Sequence, residues 1–290
     1  MLVSVAALLV ATGCSAQATW NPVGGGVDEG GGGAGGWGGA GGAAGGEQTH
    51  VGSEGTYLFD LWKTPNEGQG GAPNTGCGAQ VFSGVVRDFR AFDGETGHPD
   101  FQVYTGAGEK GIVKAELGED HKPVYAPEGA SEMTSGKEAF DQWFRDVKGV
   151  NLAIPLTLEP EVDEDGLATY KDLTFFPIDG QGFGDELFWH NFHFTFELHM
   201  SFVYEGGEVF SFAGDDDLWV FVNNRLAIDL GGVHEGQSDT LDMDKRAVDL
   251  GLEIGKEYPL DLFQAERHTT ESKFMVQSTL AFTNCEPIVY

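Results

Sequence analysis

Basic residues are scarce in this chain. Sixteen Lys and Arg stand against 46 Asp and Glu in 290 residues, a formal charge of −30. Nucleic-acid binding depends on neutralising phosphates with Lys and Arg, so the composition argues against that class of partner. Cysteine is nearly absent, with single residues at 14, 77 and 285, too few for a small fold stapled by several disulfides. The apolar N-terminal run is too short to span a membrane as a helix. The glycine-rich stretch of 23–46 lacks the Lys and Ser/Thr that complete a phosphate-binding loop.

The few cysteines carry information by position. Residues 1–16 are apolar and end in Ala11-Thr12-Gly13-Cys14-Ser15. Small residues before a Cys resemble a bacterial lipoprotein signal, in which that Cys carries the lipid. No Lys or Arg precedes the run, and Ala11 stands where Leu is usual; an ordinary secretory signal is the alternative. The expectation is an exported protein anchored through Cys14 to the cell surface or outer membrane of a bacterium. In an exported protein the remaining Cys77 and Cys285 are most simply a disulfide, closing a loop of roughly 200 residues.

Residues 17–55 are glycine-rich and have nothing with which to build a core, so they read as a disordered tether. A strap over 56–79, containing TYLFDLW, precedes a domain of 80–285. Helical spacing is convincing only over 137–147, where Phe140, Trp143, Phe144 and Val147 recur at i, i+3, i+4 and i+7 with Thr134 or Ser135 as cap. From 152 onward strands dominate. Residues 192–204 alternate, with Phe192, Phe194, Phe196, Leu198, Met200 and Phe202 on a core face and His193, Thr195, Glu197, His199 and Ser201 on a wet one. Residues 248–252 and 258–263 read as strands about a Gly255 turn, and 274–282 alternate again. The fold class implied is all-β, an antiparallel β-sandwich with one short helix.

The chain is organised around FAGDDDLWVFVNNRLAIDLGGVH at 212–234. Asn223-Asn224 between two apolar runs reads as a tight hairpin turn, because Asn tolerates positive φ. With those two at the tip, Val222 faces Arg225, Phe221 faces Leu226 and Trp219 faces Ile228. Trp219, Phe221, Leu226, Ile228 and Leu230 then share the core face. Asp215, Asp216 and Asp217 crowd one end of this hairpin beside Gly231-Gly232. Three adjacent carboxylates suit either a solvated acidic turn or a hard cation such as Ca2+, which takes several oxygens in flexible geometry.

Together with this stretch, VVRDF (85–89), HPDF (98–101), FDQWFRDVKGVN (140–151), FFPIDGQGFG (175–184), HNFHFTFELHMSFVY (190–204) and AERHTTESKF (265–274) make the chain resemble the fibro-slime domain over about 80–284. That domain is a relative of the β-sandwich first described in anthrax protective antigen. The resemblance implies a calcium-dependent or carbohydrate-facing surface module. In flocculins and epithelial adhesins of the wider superfamily, two adjacent Asp residues joined by a cis peptide hold Ca2+, and the ion also contacts sugar hydroxyls. Asp215 and Asp216 match that pair, and Asp217 stands where relatives commonly carry Gly. The adhesins' second calcium loop, with its Asn ligand, has no clear counterpart; Glu266-Arg267-His268 takes its place along the chain.

Other candidate sites weigh less. No strained elbow or oxyanion pattern frames Ser272 as a nucleophile with His268 and Glu266. A pair of Glu266 with Asp215 or Asp216 has the chemistry of a glycosidase but no known separation. His193 and His199 are six residues apart on one strand, about 20 Å at roughly 3.3 Å per residue, and cannot share zinc, so with His190 they read as surface residues. His234 either ligates an ion beside the acids, bonds to one of them, or is an inert turn residue. Arg267 either pairs with one of the acids or faces a ligand. Asp163-Glu164-Asp165-Gly166 reads as a hairpin turn.

The expected function is therefore non-catalytic: calcium-assisted binding of surface glycans or extracellular polysaccharide, with Asp215 and Asp216 at the metal, Asp217 assisting there or shaping the loop, and His234, Glu266, Arg267 and His268 at the ligand. The alternatives are a module with purely structural calcium that binds a protein partner, and a glycoside-active enzyme.

Overall fold

The computed structural model describes residues 81–102, 106–164 and 166–284. The signal with Cys14, the tether, the strap, and both Cys77 and Cys285 with their expected disulfide lie outside the described residues.

Among the described residues eleven strands and two helices follow in chain order: β1 Phe82–Phe89, α1 Lys137–Phe140, β2 Asn151–Leu158, β3 Glu161–Val162, β4 Ala168–Asp172, β5 Phe194–Tyr204, β6 Val209–Gly214, β7 Asp217–Val222, β8 Arg225–Leu230, β9 Gln237–Asp242, α2 Met243–Leu250, β10 Lys256–Glu266 and β11 Phe274–Ser278. They form two antiparallel sheets, ordered β2-β1-β5-β10-β7-β8 and β3-β4-β11-β6-β9. This is the expected all-β sandwich. Between the sheets lies an aromatic core that includes Phe194, Phe196, Phe202, Phe210, Phe212 and Phe274. Val162 pairs with Ala168, and Asp163 N–H donates to the Leu167 carbonyl, so β3 and β4 pair as the arms of a hairpin.

A second core covers the other face of the six-stranded sheet. Trp219, Phe221, Phe263 and Ala265 point outward from it and pack against Phe101, Tyr125, Phe140, Trp143 and Phe144. The segment 98–150 is thus a third layer, and β7 and β10 are buried on both faces. This corrects the reading of 193–201 as a wet face. His193, Thr195, Glu197 and His199 are all buried. Glu197 meets Arg87 Nη1 at 2.9 Å and Lys122 Nζ at 2.7 Å, and His199 Nδ1 lies 2.7 Å from Asp261. Burial alone would raise the Glu197 pKa, yet Arg87, His199 and Lys122 together hold it well below the usual carboxylate range. Of the three histidines read as surface residues, only His190 is partly exposed.

Two further expectations change. The helix of 137–147 is a single turn, Lys137–Phe140, entered from Gly136 with no side-chain cap. Asn151 accounts for its early end. Its amide donates to the carbonyls of Gln142 and Arg145 and its oxygen accepts from Val147 N–H, so it takes up groups that a continuing helix would pair. The buried stripe of Phe140, Trp143 and Phe144 is core all the same. Conversely, 248–252 is not a strand. Asp242 Oδ1 caps α2 by accepting from Lys245 N–H, and Gly251 at φ 69° closes it in the left-handed conformation. Among the described residues no helix is long and apolar enough to cross a membrane.

Candidate functional site

The hairpin β7–β8 turns at Asn223-Asn224, both at positive φ, as the dipeptide predicts. Val222 pairs with Arg225 and Phe221 with Leu226, but a bulge between Val220 and Phe221 shifts the rest. Trp219 therefore faces Asp229, not Ile228, and its indole N–H donates to that carboxylate at 3.0 Å. The shift splits the expected core face. Ile228 and Leu230 join the core between the sheets, whereas Trp219 and Phe221 belong to the outer one.

The acids at the open end of β7 have separate environments. The Asp215-Asp216 peptide is cis. Asp215 Oδ1 accepts from Lys273 N–H at 2.6 Å, its carbonyl accepts from Gln264 Nε2 at 3.2 Å, and Lys273 Nζ stands 3.8 Å from Oδ2. Asp216 Oδ2 accepts from Arg267 N–H at 3.0 Å and Oδ1 from His234 N–H at 3.3 Å. Burial raises both pKa values. Asp216 is pushed up to about 7 despite Arg267, with Asp217 and Asp215 adding repulsion.

Of the two parts open to Asp217, its bonds are those of a residue that shapes the loop. Its Oδ2 accepts from Arg267 Nε at 2.6 Å and its Oδ1 from Gly232 N–H at 2.5 Å, so both oxygens are engaged by the protein. Arg267 is likewise structural, not ligand-facing. It is fully buried, its Nη1 donates to the Met133 and Asp100 carbonyls, and its guanidinium lies 4.6 Å over the Trp143 ring. His234 directs Nδ1 at the Glu235 carbonyl and Nε2 at the Leu230 carbonyl, so neither ring nitrogen is turned to the acids. His268 is half-buried, and burial lowers its pKa.

Glu266 is the member of the group with no settled partner. It is fully buried at the end of β10, and no hydrogen bond of regular geometry reaches either carboxyl oxygen. The Ser272 hydroxyl and His268 N–H lean toward it and favour its charged form only in part. Burial, followed by the charges of Asp216 and Asp215, raises its pKa well above the ordinary value. Ser272 Oγ and Gln264 Oε1 are also buried without a regular partner.

These observations test the calcium that the resemblance implies. The donor set is hard oxygen throughout, and an excess of buried negative charge next to orphaned oxygens is the environment that a divalent cation neutralises. Among the described residues no three His, Cys, Asp or Glu side chains converge as a finished cage. The residues that would hold an ion are Asp215 and Asp216, beside Glu266, with backbone, amide or hydroxyl oxygens completing the shell. The oxygens of Glu266, Ser272 and Gln264 carry no motif signal of their own, except that Glu266 stands where the second calcium loop was sought.

The PA14 domain family model matches residues 164–288, a span that includes Asp215, Asp216 and Glu266. Protein psiD of Dictyostelium discoideum is 41% identical over 201 residues, covering 63% of this chain and 39% of psiD. Protein psiC of the same organism is 39% identical over 207 residues, covering 65% of this chain and 39% of psiC. The chain thus spans well under half the length of these relatives. Among solved structures, the PA14 sugar-binding domain from an RTX adhesin aligns with 71% of this chain and 94% of its own, at 8% identity and a TM-score of 0.29. The fibro-slime resemblance rests on the motifs that suggested it.

Proposed function

We propose that this chain is a non-catalytic, calcium-assisted carbohydrate-binding module of an exported protein, acting in adhesion or attachment to a glycan surface. One observation carries the reading: Asp215 and Asp216 are buried with raised pKa values beside Glu266, whose oxygens have no regular partner. Such a group is costly unless a cation or protons neutralise it, and a cation at a strand end can also take hydroxyl oxygens from a ligand. The PA14 match across the same residues supports the reading. Full burial of Glu266 argues against glycosidase chemistry, because a general acid must reach the glycosidic oxygen. Export and lipid attachment through Cys14 belong to this proposal on the strength of the N-terminal sequence.

A second reading, a protein-binding module with structural calcium, has its own support. Leu187 and Trp189 stand 106% and 92% exposed on a loop held by Asp179, which accepts from Asn191 N–H and meets His190. Exposed apolar side chains on an ordered loop suit a partner surface.

The test is a glycan and polysaccharide array probed with the full chain in calcium and again in chelator, beside calcium titration calorimetry. Glycan binding that chelator and Asp216→Asn both abolish supports the module. Calcium binding without any glycan, from folded protein, favours the protein-partner reading. Absence of calcium binding below millimolar concentration refutes the metal assignment.

A further inference from the structure

The two sheets differ in how their outer faces are finished. The six-stranded sheet is covered by the 98–150 layer, whereas the outward side chains of the five-stranded sheet are half-buried or exposed along its length. The register assembles those side chains into rows that run across the strands. Lys171, Met275, Ala213 and Ser238 are successive partners on β4, β11, β6 and β9. One step along, Thr169, Gln277, Ser211 and Thr240 form a parallel row. Its members bond sideways, Gln277 Nε2 to Thr169 Oγ1 at 3.3 Å and Ser211 Oγ with Thr240 Oγ1 at 2.9 Å. Three strand spacings of about 4.8 Å make each row roughly 14 Å long.

Above the first row opens a groove of about 880 Å³. Ala213, Gly236 and Ser238 keep its floor low, and a Cβ on Gly236 would meet nothing closer than 4.0 Å. The walls carry Lys171 and Lys273 against Glu235 and Glu271, a local balance of charge in a chain of net charge −30. At one end Lys273 and Gly214 flank Asp215, whose Oδ1 accepts from Lys273 N–H.

We propose that this face is an extended platform for a neutral polysaccharide chain, lying across β4, β11, β6 and β9 with one end directed at Asp215. Short hydroxyl and amide side chains match the hydrogen-bonding of sugar hydroxyls, and the Met275 and Ala213 strip matches the apolar C–H faces of the rings. The overall negative charge repels an anionic polymer, which selects a neutral one. The platform rests on the carbohydrate-binding reading above, and it adds the ligand class and a seat away from the acidic group.

The test uses Met275→Glu with Ser238→Glu in the full chain, both on the solvent face. Affinity electrophoresis in gels of neutral β-glucan, mannan and anionic alginate reads binding, and thermal unfolding with and without calcium reads the fold. The expected result is at least about tenfold weaker binding to a neutral polymer, with unchanged unfolding temperature and calcium response. Full binding by the double variant, abolished only by chelator or Asp216→Asn, confines the ligand to the acidic end. That outcome overturns the platform and leaves the proposed function standing. Preference for alginate overturns the neutral assignment. Absence of binding to every polymer by the folded wild type overturns both.

Discussion

Arg267 Nε donates to Asp217 Oδ2 at 2.6 Å, and both side chains are fully shielded from solvent. The pair ties the start of β7 to the end of β10, while Nη1 of the guanidinium donates to the Met133 and Asp100 carbonyls in the covering layer. Removing one partner of such a pair strands a buried charge, so Arg267→Ala is expected to cost about 3–5 kcal/mol in urea denaturation. Arg267→Lys restores little, because one ammonium cannot reproduce the fork or the stacking on Trp143. A variant of normal stability that lost only ligand binding would contradict the structural role.

Glu266 is expected to behave differently. Burial and the charges of Asp216 and Asp215 shift it toward the neutral form when no cation is present, and Gln is close to that form in shape and charge. Glu266→Gln therefore changes stability by less than about 1 kcal/mol in chelator. In calcium it is expected to shrink the rise in unfolding temperature that the proposed ion would give the wild type. Scanning calorimetry of both proteins in calcium and chelator separates these effects, and an undiminished calcium response removes Glu266 from the cation's surroundings.

The buried ion network beneath the covering layer yields a third expectation. Glu197 holds Lys122 through both oxygens, at 2.8 and 2.7 Å, and Arg87 through one. Arg87 keeps Asp146 if Glu197 is neutralised, but buried Lys122 loses its close carboxylate. Glu197→Gln is expected to cost about 3–5 kcal/mol. Hydrogen exchange should accelerate first around 118–125, where that lysine pins the layer; uniform acceleration would show that the layer has no independent attachment here.

How far these sites could be read in advance depends on whether local or distant partners decide them. The hairpin tip was legible because Asn223-Asn224 needs nothing beyond itself, and both residues sit at positive φ. The bulge beyond Val220 was not, since period-two reasoning assumes an unbroken ladder, and one extra residue sends Trp219 and Ile228 to different cores. Alternation along β5 suggested one wet face. Arg87, Lys122 and Asp261 come from remote segments to cover it, and no local pattern announces them. The helix α2 does carry readable signals: a capping Asp242, apolar 243, 247 and 250, and Gly251. In the acidic group the paired Asp215-Asp216 is legible, whereas only geometry shows that Arg267 claims Asp217.

His98 supplies a pH dependence. Its Nδ1 lies 3.3 Å from Asp100 N–H and its Nε2 3.3 Å from the Ala139 carbonyl, an arrangement that requires the neutral ring with the proton on Nε2. Burial pushes its pKa down from 6.5 to about 4. Between those values the unfolded chain takes up a proton that the folded one refuses. The contribution of His98 is therefore full above pH 6.5 and is lost as pH falls toward 4. Asp88 and Asp216, both pushed up to about 7, titrate in the same window with opposite sign, so the wild-type curve alone mixes the two. His98→Asn keeps an acceptor for Asp100 N–H and removes the titration. Its stability deficit, about 1–3 kcal/mol at neutral pH, should narrow toward pH 4. A deficit constant with pH would mean that folding leaves the pKa of the ring unshifted.

Gly232 links the covering layer to the acidic end. It sits at φ 88°, where an L side chain is strained, and a Cβ there would stand 2.3 Å from Glu109 N and 2.7 Å from Met133 Sδ. Its N–H is one of the two donors to Asp217, and the neighbouring Gly231 carbonyl accepts from Glu109 N–H at 2.6 Å. Gly232→Ala thus meets an unfavourable backbone conformation and a backbone clash together, with an expected cost of at least about 2 kcal/mol. Gly236→Ala is the internal comparison, since its Cβ meets only open space, and its effect should stay within about 0.5 kcal/mol. Because Asp217 answers to both Gly232 and Arg267, the deficits of Gly232→Ala and Arg267→Ala should be less than additive in the double variant. Full additivity would mean that the loop of 231–234 and the end of β10 are held independently, and that Asp217 does not couple them.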